Sequence, residues 1–299
     1  MKNYQMKYFN TYYIYIMFHL FTVATHSENM HEILLESAKR YKHDIKVLGK
    51  NKSYTSHRQK DIWVYEAIQD MPANDIVCFC DGFDSLLGAG SDEIKKAFMK
   101  TNKKILVSVD GQQIRWERYP IWSYAYHKVY PTVDGHYINS GLYIGYVHAL
   151  KEWLKKCIEY NASTKSNQRV WALLMHDVNM LDIQCDIFYN HMVLFSANNC
   201  VQIKNDQLYQ RDKRILVVSF PGNRDATSLI QQLNYKQLPS KKKDWSVSKI
   251  IFYLPHFKLE FMFGIAIFLM NKVLLLLILG IIFTLITRWA ISFKRKIKA

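Results

Sequence analysis

The run Asp75-Ile-Val-Cys-Phe-Cys-Asp81 constrains this chain more than any other segment. Uninterrupted apolar residues cover both faces of a strand, and such a strand belongs inside a sheet with helices packed on either side. The fold class expected is therefore α/β: a mostly parallel sheet flanked by helices. The preceding segments fit. Tyr15 to Ala24 reads as a first buried strand, Ser27 to Tyr41 as a helix with Ile33, Leu34 and Ala38 on one face, and Asp44 to Gly49 as a second strand. That β-α-β order implies parallel pairing. A signal peptide is the alternative for Met1 to Ala24, with Lys2 and Lys7 ahead of an apolar stretch; the strand is preferred because the α/β pattern needs it. Further on, Asp61 to Met71 reads as a helix, and Ser91 to Lys100 as another with Ser91 at its N-cap. Lys104 to Val109 reads as a strand ending at Asp110, and His136 to Gly145 as strand, turn and strand. His148 to Tyr160 and Arg169 to His176 read as helices, and Ile215 to Phe220 as a late strand broken by Pro221-Gly222.

Chemistry concentrates where the first long strand ends. Ligands of open parallel sheets bind beyond the carboxyl ends of the strands, and here that end carries Asp81-Gly-Phe-Asp84. Two carboxylates so spaced can converge on one divalent cation, Mn²⁺ or Mg²⁺ by the hardness of oxygen ligands. Such an ion neutralises a diphosphate leaving group. Phe83 offers a face to a nucleobase. The plain alternative is a surface turn bearing two acids. A second polar spot, Asn139-Ser140-Gly141, interrupts apolar runs; it can hydrogen-bond a sugar or simply turn the chain. The five cysteines show neither zinc spacing nor a disulfide framework.

Taken in order, Phe-Cys-Asp-Gly-Phe-Asp, Ile-Asn-Ser-Gly-Leu-Tyr-Ile-Gly, a helix start with Gln168, Leu-Asp-Ile-Gln-Cys-Asp-Ile-Phe-Tyr-Asn and Val-Val-Ser-Phe-Pro-Gly-Asn resemble the glycosyltransferase domain of the procollagen lysyl hydroxylases and related collagen glycosyltransferases. The resemblance spans about residues 18–238. It implies a GT-A-like (Rossmann-like) fold and transfer of glucose or galactose from a UDP-sugar to a hydroxyl acceptor, hydroxylysine-linked or another glycan. By position it implies metal-binding Asp81 and Asp84, Phe83 against uracil, Lys60 on the nucleotide phosphates, Asn139, Ser140 and Gly141 beside the sugar, and Asp110 and Gly222 at the nucleotide site. Asn167, Gln168 and Asp182 take the candidate catalytic positions, and Asn190 stands in the same acceptor-side motif as Asp182.

Three departures stand out. The family's acidic run before Gln reads Ser166-Asn167 here, and amides do not supply negative charge to an oxocarbenium-like centre. A family metal-ligating His is replaced: aligned on Val217-Val218 its place falls to Ser219, and aligned on Gly222-Asn223 to Pro221. Asp110 stands near a family Glu. An inactive, anchored binding domain is thus the alternative to an enzyme. One of His127, His136, His176 or His191 could stand in for the missing ligand in space.

The C-terminal region differs in composition. Residues 241–299 hold 11 Lys or Arg against Asp244 and Glu260. The expected organisation is an extension over 1–17, the glycosyltransferase-like domain over 18–240, a basic linker over 241–260, a transmembrane segment over 261–289 and a basic tail over 290–299. The apolar run exceeds the roughly 20 residues a span requires. The flanking charge points to lipid headgroups, with no nucleic acid partner expected, and an endoplasmic reticulum or Golgi type membrane is the expected location. Basic residues balance on both sides, so orientation is undecided. No oxygenase domain is expected after residue 240.

Overall fold

The computed structural model describes residues 16–27, 29–109, 131–175, 180–190, 201–210, 212–221, 226–236, 269–270 and 272–287. In chain order the elements are β1 (Phe18–Val23), α1 (Asn29–Arg40), β2 (Ile45–Leu48), α2 (Arg58–Ala67), β3 (Ile76–Asp81), β4 (Ser85–Leu87), α3 (Ser91–Lys100), β5 (Ile105–Val109), β6 (Ile138–Tyr146), α4 (Val147–Glu159), α5 (Asn167–Leu174), β7 (Phe188–Asn190), β8 (Gln202–Lys204), β9 (Gln207–Gln210), β10 (Lys213–Arg214), β11 (Val217–Ser219) and α6 (Thr227–Gln232).

The central sheet has the order β2-β1-β3-β6-β5. β3 lies in its middle, and Ile76 to Cys80 are wholly buried, as an unbroken apolar run demands. One layer over the sheet is α2, α4 and α5, whose Trp63, Val64, Leu150, Trp153, Leu154 and Trp171 pack with Phe21, Phe79 and Tyr143. The other layer is α1 and α3, whose Leu34, Ala38, Ile94 and Phe98 meet Leu20, Cys78 and Cys80. The two thiols share that face, as their spacing predicts, and both are free.

Several expectations need correction. The sheet is mixed: β1 runs parallel to β2 and β3, but β6 runs antiparallel to both β3 and β5. β6 is buried on both faces, so its composition matches that of a parallel strand and its direction is not written in its hydrophobicity. The expected strand-turn-strand over His136 to Gly145 is one strand. The register with β5 slips between Val107 and Ser108, which face Tyr143 and Asn139, so the chain after Asn139, through Ser140 and Gly141, is taken up as a bulge instead of reversing. At α3 the N-cap is Gly90, and Ser91 is already helical.

The transmembrane expectation is also overturned. Among the described residues no helix is long and apolar enough to cross a membrane. The longest described helical stretch in that region is 272–287. At 1.5 Å per residue it falls short of the hydrocarbon core, for which roughly 20 residues are needed. The apolar run over 261–289 was read from composition, and the described helical stretch is shorter than that run. The span, its lipid partner and the endoplasmic reticulum or Golgi placement built on it are withdrawn.

A smaller sheet, β4-β11-β7, lies beside the central one. Its Leu87, Val217 and Phe188 enter the core shared with Cys78 and Cys80. Its opposite face carries Leu86, Val218 and Tyr189 against Leu229 and Ile230 of α6. A three-stranded meander, β10-β9-β8, adjoins it.

Arg58 fastens the α2–α4 layer. Its guanidinium donates to the carbonyls of Cys157 at 2.9 Å, Ile158 at 3.1 Å, Tyr160 at 2.9 Å and Ala162 at 3.4 Å. These carbonyls end α4 or follow it, where the helix leaves acceptors unpaired and its dipole is negative. Replacing Arg58 by Ala is expected to lower stability by about 2–3 kcal/mol in urea unfolding, because several carbonyl acceptors, most of them partly buried, lose a charged donor together. Arg58→Lys is expected to recover only part, since an ammonium lacks the planar fork.

Candidate functional site

Two acids sit where β3 leaves the sheet. Asp81 is its last residue, in register with Val23 of β1. The next position must be glycine: a Cβ at Gly82 would lie 2.4 Å from the Val23 carbonyl oxygen. Thr22 Oγ1 donates to the Cys80 carbonyl at 2.7 Å and holds the two strand ends together. Asp84 closes the turn. Its carbonyl accepts from the Phe220 N–H at 2.6 Å, and its Oδ1 accepts from Ser219 Oγ at 3.2 Å. The turn is thereby pinned between β3 and β11.

Lys60 of α2 reaches across and pairs its ammonium with Asp81 Oδ1; the two side chains are 14% and 21% exposed. Burial alone would lower the Lys60 pKa, but Asp81, Tyr54 and Asp84 outweigh it and leave the ammonium above its ordinary value. The Asp84 carboxyl is pushed up to about 7, first by burial and then by the neighbouring Asp81 charge, against the pull of Lys60, Ser219 and Ser85. On the far side of Asp81 stands the bulge of β6. A Cβ at Gly141 would lie 2.6 Å from Asp81 Oδ2, so glycine leaves room for the carboxylate. Asn139 Oδ1 accepts from the Gly141 N–H at 2.7 Å and braces the bulge, and Ser108 Oγ donates to the Asn139 carbonyl at 2.9 Å. Asn139 and Ser140 are both buried.

Phe83 projects beside these acids among histidines that the sequence reading passed over. The His26 ring stacks on it at 4.8 Å between centroids, and His31 tilts against it at 5.8 Å. His31 Nδ1 lies 3.1 Å from the Gly82 carbonyl. A carbonyl only accepts, so the ring proton is on Nδ1; burial pushes the His31 pKa down. Both histidines follow β1, whose end neighbours that of β3, so the rule that placed a ligand beyond β3 also reaches them.

The structure therefore brings Lys60, Asp81, Phe83, Asp84 and Gly141 together, with Ser219 beside Asp84. That favours the valine-anchored position for the family histidine. The candidate catalytic residues lie differently. Asn167 is 4% exposed; its Nδ2 donates to Asp61 Oδ1 at 3.0 Å, and its Oδ1 accepts from the Gln168 N–H at 2.9 Å. Ser166 is the N-cap of α5. Asp182 accepts backbone N–H groups of Asp186, Ile187 and Phe188 at 2.8, 3.1 and 2.9 Å. Both its oxygens are engaged in shaping the chain before β7. Asn190 Nδ2 donates to the Val109 carbonyl at 2.8 Å. Asp110, Gly222, His127, His176 and His191 lie outside the described residues. Among the described residues no group of three or more His, Cys, Asp or Glu is arranged to hold a metal, so a cation at this turn would rest on Asp81 and Asp84 with oxygen from elsewhere.

Asp61 is the polar residue missed from sequence. It is 3% exposed and accepts from Asn167 and from Trp171 Nε1, the latter at 3.0 Å. Burial raises its pKa to about 6, opposed by both hydrogen bonds and by Lys60 and Arg58. Because the folded form holds this proton more tightly than the unfolded chain, Asp61 contributes stability at low pH that is lost as pH rises through about 6. The shift corresponds to up to about 3 kcal/mol. In Asp61→Asn this loss is absent, so the stability of the variant relative to the parent is expected to rise between pH 4 and 7 in paired urea titrations.

The sequence model of the PLOD GT domain family matches residues 16–237. Human procollagen-lysine,2-oxoglutarate 5-dioxygenase 2 is 27% identical over 214 residues, covering 62% of this chain and 27% of that protein. The mouse protein of the same name is 28% identical over 141 residues, covering 42% of this chain and 18% of its own length. The chain thus spans about a quarter or less of these relatives. Among solved structures, a glycosyltransferase involved in glycosylation of the major capsid of PBCV-1 overlaps with TM-score 0.40 at 10% identity, covering 73% of this chain and 98% of that one. A197 from STIV overlaps with TM-score 0.34 at 12% identity, covering 54% and 78%.

Proposed function

The chain belongs to the PLOD GT domain family, a glycosyltransferase-type domain, and from that premise we propose that it transfers a hexose, glucose or galactose, from a UDP-sugar to a hydroxyl acceptor on a glycan or protein. The observation that carries the reading is the pair Asp81 and Asp84 at the tip of a wholly buried strand, with the Lys60 ammonium seated on Asp81.

The residues fit a divalent cation. Asp81 and Asp84 would hold Mn²⁺ or Mg²⁺, which supplies positive charge to the diphosphate as it leaves. The chain's own groups do the rest. Lys60 compensates Asp81 here; with a cation on that carboxylate, the ammonium is free to pair with a phosphate. Phe83 offers a stacking surface to the uracil, shared with His26. The bulge of Asn139, Ser140 and Gly141 borders Asp81 and would meet the sugar. Stabilisation of this kind counts where charge develops.

A second reading, a nucleotide-binding domain without turnover, is favoured by one specific observation. Asn167 turns into the core onto Asp61, so the segment that is acidic in the family presents no carboxylate toward a donor. Purified full-length chain would be assayed for UDP release from UDP-glucose and UDP-galactose, with and without Mn²⁺. The enzyme reading predicts metal-stimulated release that falls at least about 100-fold, or about 2.7 kcal/mol, in Asp84→Ala. Nucleotide binding with no release under any acceptor supports the second reading.

A further inference from the structure

We infer that Ser219 supplies a third oxygen to the cation held by Asp81 and Asp84, so that the ligands from the described residues are oxygens and the site favours Zn²⁺ and Co²⁺ over Mg²⁺ and Mn²⁺ less than a histidine at this position would. The inference rests on the proposed cation site and specifies its ligand chemistry.

The small sheet carries the argument. Ser219 of β11 is in register with Ser85 of β4 on one side and Asn190 of β7 on the other. Side chains opposite one another in a sheet share a face. Two residues away along the strands, that face is Leu87, Val217 and Phe188, all within the apolar core. It therefore changes from apolar to polar at the end that meets Asp84. The three polar residues are 0%, 1% and 2% exposed, and groups so buried call for partners. Ser219 Oγ has one in Asp84 Oδ1 at 3.2 Å; its single proton is spent there and its lone pairs remain. Asn190 adds an independent sign. Its Nδ2 is fixed on the Val109 carbonyl, and its buried Oδ1 has no hydrogen-bond partner. An acceptor held in place and left unpaired among the described residues calls for a proton donor, which a cation-bound water or a bound hydroxyl provides.

The nitrogen seated on these acids is the Lys60 ammonium, which has no lone pair to offer a metal. His31 is turned to the Gly82 carbonyl, and His26 lies on Phe83. Carboxylate, hydroxyl, amide oxygen and water suit Mg²⁺, Ca²⁺ and Mn²⁺, whereas imidazole favours Zn²⁺ and Co²⁺.

The test is calorimetric titration of the full chain, with UDP present, by Mg²⁺, Mn²⁺, Zn²⁺ and Co²⁺. In Ser219→Ala, Mg²⁺ and Mn²⁺ binding is expected to weaken about tenfold or more. Ser219→Thr keeps the oxygen and the parent's selectivity. In Ser219→His, Zn²⁺ and Co²⁺ gain at least about tenfold over Mg²⁺, with a changed Co²⁺ absorption spectrum reporting nitrogen ligation. Binding lost in Asp84→Ala but unchanged in selectivity across all three Ser219 variants overturns the inference and leaves the proposed site standing. Cation binding indifferent to Asp84→Ala overturns both.

Discussion

Two carboxylates brought together at the tip of a buried strand repel one another, and the local structure is organised around holding them there. Asp81 and Asp84 flank one tight, partly buried turn. Burial raises the cost of charge there and the neighbouring Asp81 carboxylate adds to it, so the pKa of the Asp84 carboxyl is pushed up to about 7. Lys60 offsets one charge, Ser219 donates to the other, and glycines at 82 and 141 permit the approach of β1 and β6. The α2–α4 layer sets where Lys60 can reach, and the small sheet sets where Ser219 stands. An arrangement that concentrates negative charge this way and leaves it half-compensated is suited to a cation, which is why the proposed activity rests on it.

Much of this was legible in the residues, and the parts that were not have identifiable reasons. The run from Ile76 to Cys80 declared a central strand because nothing else accommodates apolar residues on both faces, and the acids after it followed from where sheets bind ligands. The direction of β6 was not legible: its neighbours bury both faces, and hydrophobicity does not encode polarity of the chain. Nor was the bulge, since Asn-Ser-Gly suits a reversal equally well and only the register with β5 decides. The membrane segment was an inference from composition that helix length among the described residues did not meet. Asp61 escaped because a carboxylate in an amphipathic pattern reads as surface, while in the fold it anchors Asn167 and Trp171 in the core.

The departures from the family pattern acquire physical meaning in this light. Asn167 faces inward and its amide pairs with Asp61, so in this chain that position is a packing group. Asp182, which keeps the residue the resemblance implies, shapes the backbone ahead of β7 through three N–H groups that engage both its oxygens. Ser219 puts a hydroxyl against Asp84. Asn167 and Ser219 thus put an amide and a hydroxyl where the resemblance implies an acid and a histidine. The relatives are several times longer than the matched region, so it is this domain alone that the comparison informs.

Crystallography of the full chain grown with UDP and Mn²⁺ tests the central claim most directly. The account predicts an anomalous peak about 2.1 Å from oxygens of both Asp81 and Asp84, with the diphosphate on its other side and the Lys60 ammonium moved from Asp81 onto a phosphate. Nucleotide density with Lys60 still paired to Asp81 and no ion at the turn, or an ion bound elsewhere, would contradict it.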